Sequence, residues 1–142
     1  MKQCLCLIIS LFIFQKAHSK DEISEHLSQF VLGQYHLIGK APDSSRTYAG
    51  QLEIYEQDQQ LKIKRIINEQ EILGTAAIES ALHGESHVLR MRFNENNQSF
   101  ETTCLIRSDL DNYARISCYL YQPGVRTKEP GLEALFINHS RD

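Results

Sequence analysis

The chain has 142 residues, with 15 basic and 18 acidic side chains and a net charge of −3. That length supports one domain with its own core and no more. A mildly acidic chain without a basic cluster excludes the Lys/Arg stripe that nucleic acid or an anionic membrane surface requires, and it repels an acidic polymer.

Residues 1–19 read as a secretory signal peptide. Lys2 gives a positive start, residues 4–14 carry no charge, and Ala17-His18-Ser19 puts small residues at the −3 and −1 positions of a cut after Ser19. The apolar run is shorter than the about 20 residues of a membrane-spanning helix. The expected mature protein is therefore a single domain, 20–142, without a transmembrane segment, periplasmic or secreted. Cleavage removes Lys2, Lys16 and no acid, which moves the net charge from −3 to −5. It also removes Cys4 and Cys6. Cys104 and Cys118 remain, bound for an oxidising compartment where a disulfide is the default.

In chain order, residues 21–32 predict a short N-terminal helix. Ile23, Leu27, Phe30 and Val31 recur at helical spacing, Asp21 and Glu22 open it, and Gly33 ends it. After Gly33 the period becomes two. Strands are predicted at 34–38, 47–56, 61–69, 72–80, 87–93, 100–107, 113–121 and 131–138. Short turn-forming connections, such as Asp58-Gln59-Gln60 and Pro123-Gly124, favour an antiparallel meander. Eight strands suggest closure into an all-β, up-and-down barrel, which removes exposed edges. An open sheet or a two-sheet sandwich shares the same rhythm.

Pairing the sixth and seventh strands about Asp111 sets Ile106 opposite Ile116 and Cys104 opposite Cys118. Directly opposed residues lie within disulfide reach. The alternative is a pair of reduced cysteines packed as small hydrophobes.

His83, Glu85 and His87 are metal-ligand types, yet the predicted turn does not align them and supplies no further ligand. Tyr113, Arg115, Tyr119 and Tyr121 fall on the strand face opposite Cys118 and form a candidate binding surface, because tyrosine offers rigid contact area with a polar tip. The same rings can equally shield neighbouring strands or fill core. Arg90 and Arg92 lie on the polar face of another strand. No nucleophile elbow, zinc-helix motif, phosphate loop or dinucleotide fingerprint occurs, so neither an enzyme nor a cofactor is expected.

Two sets of residues carry a resemblance. Gly33-Gln34-Tyr35 after a short helix is similar to the G-x-W opening of lipocalins, with tyrosine in place of tryptophan. The series Tyr35 to Gly39, Tyr48-x-Gly50-x-x-x-Ile54, Gly74-Thr75, Leu89-x-Met91-x-Phe93 and Gly131-x-Glu133-x-Leu135 resembles small exported bacterial proteins with lipocalin-like barrels, some labelled fibronectin-binding. The resemblance implies a lipocalin-like barrel and a binding role, with no catalytic residues to carry over. The expected function is thus non-catalytic binding of a protein or surface partner. Alternatives are a carrier of a small apolar ligand in the barrel, or an inhibitor of a secreted hydrolase such as lysozyme. The latter follows from Ser44-Ser45-Arg46-Thr47-Tyr48, which resembles the S-G-x-x-Y loop of lysozyme inhibitors without its glycine.

The exported product should have the mass of a chain beginning at Lys20, with no free thiol under denaturing, non-reducing conditions. A product beginning at Met1, or two reactive thiols, contradicts this reading.

Overall fold

Alternation along each strand sends one set of side chains inward and the other to solvent, and eight such strands close on themselves. The computed structural model describes residues 15–106 and 115–138. The strands are β1 (Gly33–Lys40), β2 (Thr47–Gln57), β3 (Gln60–Ile67), β4 (Gln70–Ala81), β5 (Ser86–Glu95), β6 (Gln98–Leu105), β7 (Arg115–Tyr121) and β8 (Gly131–Ile137). Each pairs antiparallel with its neighbours in sequence, and β8 returns to β1 with Leu37 opposite Leu135. The open sheet and the sandwich are thereby excluded. Residues 1–14 and 107–114, which include the h-region, Tyr113 and the turn about Asp111, lie outside the described residues.

Among the described residues one α-helix, α1, spans Gln15–Val31. It starts upstream of the expected 21 because residues 15–20 hold no Gly or Pro to stop it, and it runs through the expected cleavage point. Its end is fixed to the barrel. Val31 is fully buried, Leu27 packs on the core, and Tyr35 Oη donates to the Val31 carbonyl at 2.8 Å. Among the described residues no helix is long and apolar enough to cross a membrane.

Three hairpins turn on residue pairs: Asp58-Gln59, Asn68-Glu69 and Asn96-Asn97, all with φ between 50° and 65°. Two left-handed residues in succession match the right-handed twist of the flanking strands. At the same end as the last two of these turns, the 41–46 and 122–130 loops are latched. Asp43 Oδ1 accepts from the backbone N–H groups of Lys128 and Glu129, each at 2.8 Å, and the Asp43 N–H donates to the Glu129 carbonyl. The opposite half of the barrel carries the Cys104–Cys118 disulfide, formed between directly paired residues of β6 and β7 as the sequence predicts. Both sulfurs are in the core, and Ile106, just past β6, is buried as Ile116 is.

The lumen is occupied by the chain's own side chains. Leu37, Leu52, Ile54, Ile63, Leu89, Met91 and Leu135 are each at most 1% exposed. Among them lies an ion pair. Arg65 of β3 reaches across the lumen to Glu133 of β8, with Nη1 to Oε2 at 3.1 Å and Nη2 to Oε1 at 2.6 Å. The guanidinium also sits 4.1 Å from the centroid of the Phe93 ring, which stacks on Phe100. Tyr48 Oη donates to Glu133 Oε1 at 2.6 Å.

Tyr48, Gly39 and Glu133 occupy one lateral row across β2, β1 and β8. The tyrosine ring must cross β1 to reach the carboxylate, and it does so where Gly39 has no side chain. A Cβ at that position would lie 2.4 Å from the ring. Burial, and then the Glu133 carboxylate, push the Tyr48 phenol far up, so it remains a donor. Burial disfavours the charged form of Arg65, but Glu133 outweighs it and holds the guanidinium protonated. Arg65 Nε has no hydrogen-bond partner among the described residues.

Removing one partner leaves the other charge buried and alone. Arg65→Met or Glu133→Leu should each cost about 3–5 kcal/mol in urea unfolding, while the double variant recovers most of the loss. Single losses below about 1 kcal/mol would show that the pair does not organise the lumen.

Candidate binding surface on the barrel wall

Outward residues give two parts of the barrel wall unlike surfaces. On β4–β7 the outward charges neutralise one another. Arg90 Nη1 donates to Glu101 Oε1 at 2.8 Å and Arg92 Nε to Glu101 Oε2 at 2.6 Å. Arg92 Nη1 donates to Glu79 Oε1 at 2.7 Å, and Arg90 Nε lies 2.9 Å from Glu79 Oε2. Tyr121 Oη donates to Glu101, receives a hydrogen bond from Arg90 at 3.2 Å and shares one with Thr103. Burial alone pushes the Glu101 carboxyl up. Hydrogen bonds from Tyr121, Arg90 and Arg92 outweigh it and hold the group below the usual carboxylate range. The Tyr121 phenol is raised, first by burial and then by Glu101.

The second region is apolar. β8 turns Leu132, Ala134 and Phe136 outward, because Gly131, Glu133 and Leu135 face the lumen. The pairing then brings outward residues of three more strands beside them. Tyr119 lies opposite Leu132, Ser117 opposite both Ala134 and Leu105, and Ile38 opposite Ala134 on the other side. Ile38, Leu105, Tyr119, Leu132 and Phe136 are 39–64% exposed. Five large apolar side chains thus share one wall built from β6, β7, β8 and β1. Lys40 and His36 flank it, and Lys40 is paired with Glu129 at 3.1 Å.

The residues singled out by sequence part company here. Tyr119 lies within the apolar wall, whereas Tyr121 is held in the Glu101 network beside Arg90. Arg115 pairs with Phe136, and Tyr113 lies outside the described residues. His83 and Glu85 are exposed and His87 is half-buried, and no three His, Cys, Asp or Glu side chains among the described residues are placed to hold a metal ion. Tyr48 of the Ser44–Tyr48 run points into the lumen, where it donates to Glu133. Ile38, Leu105, Leu132 and Phe136 escaped sequence reading. For Leu132 and Phe136 the signal is the 131–137 segment, apolar on both faces apart from Glu133.

Among the described residues, depressions lie elsewhere on the surface. One of about 110 Å³ lies between Gln34, Gln51, Glu53, Lys64 and Ile66. The other, about 460 Å³ and mostly polar, separates Ser24, Ser28 and Gln29 of α1 from Glu56, Gln59 and Leu61. Neither has the enclosed apolar character of a small-molecule site. No protein-family model and no curated protein sequence matches the chain.

Because Glu101 has a lower pKa folded than unfolded, its contribution is fully present above the ordinary carboxylate range and is lost as pH falls through the folded value. Glu101→Gln should cost about 1–2 kcal/mol at pH 7 and flatten the acid limb of the stability curve. Parallel thermal-unfolding curves for both proteins between pH 7 and about pH 3 would count against this role.

Proposed function

We propose that the protein is an exported, non-catalytic binding protein that engages a protein or surface partner through the outer wall of its barrel. The observation that carries this reading is the exposure of Ile38, Leu105, Tyr119, Leu132 and Phe136 on four adjacent strands. A contiguous apolar patch containing aromatic residues and lacking charge at its centre has the composition of an interface core. The packed lumen, crossed by the Arg65–Glu133 pair, weighs against a carrier of apolar ligands in the barrel. The sequential strand order supports kinship with lipocalin-type, up-and-down barrels, alongside the motifs around Tyr35, Tyr48 and Gly131. The buried disulfide supports an oxidising location, the periplasm or the cell exterior.

A photo-crosslinking phenylalanine analogue at Leu132, expressed in the exporting cell, should give a discrete protein adduct on irradiation. The same analogue at Thr75, exposed on β4 across the barrel, should give none. Absence of an adduct from 132, or a stoichiometric small molecule released on unfolding in native mass spectrometry, overturns the reading.

A further inference from the structure

We infer that the partner seated on this apolar wall is a second copy of the same chain. The inference rests on the outer-wall reading above and adds the identity of the partner. Barrel closure leaves no strand edge to extend, so two copies can meet only through side-chain faces.

The amount of surface is suited to this. The five large side chains leave on the order of 500 Å² exposed, given their fractional exposure and the area of such residues. A standard interface buries about 800 Å² per partner, of which the outer part is polar rim. The patch therefore supplies an apolar centre, and Ser117, Thr103, His36 and Lys40 supply rim.

Relief points the same way. Ala134 and Ser117 are small and adjacent, and they lie between Leu132 and Phe136 along β8 and between Ile38 and Leu105 across the strands. A dip bordered by ridges is self-complementary about a two-fold axis, since each copy offers both the ridge and the dip that receives it.

Charge separates this occupant from the others. The outward positions of β7, β8 and β1 hold no acidic residue, although the chain carries −3 overall. Their basic residues, Lys40, His36 and Arg115, stand at the ends of the wall, so contact between copies buries no charge at its centre. A lipid surface would need a basic stripe, whereas the basic positions here are split between the two ends of the wall, with Lys40, paired with Glu129, beside Leu132 and with His36 and Arg115 beside Phe136.

Sedimentation equilibrium of the protein as exported should give a mass rising from one chain to two with concentration in the micromolar range. Leu132→Asp and Phe136→Asp should each weaken the dimer at least tenfold, with far-UV circular dichroism and thermal unfolding of the dilute protein unchanged. Thr75→Asp should leave the dimer intact. The adduct from position 132 should have twice the chain mass. A monomer at every concentration, or a dimer that survives Leu132→Asp, overturns the inference. An adduct to a different protein, or to residues 1–14 of the same chain, overturns it as well. An adduct to another protein leaves the outer-wall reading standing, whereas no adduct at all removes both.

Discussion

Arg65 and Glu133 hold opposite sides of the barrel together, and their pairing decides what the outside looks like. An arginine turned into an apolar lumen is tolerable only with a carboxylate facing it. The carboxylate comes from β8, three strands away around the wall, so β8 must present Glu133 inward. Strand periodicity then leaves no choice for its neighbours. Leu132, Ala134 and Phe136 face solvent because residue 133 does not, and a one-residue slip of β8 would turn Glu133 to solvent, leave Arg65 unpaired in the lumen and bury the wall. The exposed apolar surface is thus the outer consequence of an ionic contact within.

The remaining constraints act around that axis. Gly39 clears the path by which Tyr48 reaches Glu133, satisfying one more lone pair of a carboxylate that is 0% exposed. At one end the Asp43 latch joins the 41–46 loop to 122–130, next to the strand that carries Glu133. Toward the other end the Cys104–Cys118 bridge fixes β6 on β7, and α1 is anchored through Val31 and Tyr35. On the outside, the Glu79–Arg90–Arg92–Glu101 network gives β4, β5 and β6 a neutral polar surface. The two walls therefore differ in kind.

Much of the fold is legible in the residues because alternation is strong where one face is charged. Lys62 and Lys64 mark the outward face of β3, and Arg90 and Arg92 that of β5. The cysteine spacing about Asp111 gives the β6–β7 register directly. The predicted third strand runs to 69 where β3 stops at Ile67, because Asn68-Glu69 makes a left-handed turn without the glycine that usually announces one. The apolar wall is illegible for a more basic reason. Polarity is read as outwardness, and Arg65 and Glu133 invert that rule in the two strands where it matters most. Strand face alone places Tyr121 on a binding surface and cannot reveal that Glu101, Arg90 and Thr103 converge on its hydroxyl.

The closure of the barrel has a kinetic side. Seven of its eight seams join strands that follow one another along the chain, whereas the β1–β8 seam joins Tyr35 to Ile137. Local seams close rapidly, and a seam spanning nearly the whole domain must first overcome the entropy of a long loop. Until that seam forms, Glu133 lacks its partner across the lumen and β8 is a free edge bearing apolar residues on both faces. The last step of assembly is consequently also the one at which the chain is most open to aggregation, and the compartment in which it folds must keep its copies apart until the barrel is shut.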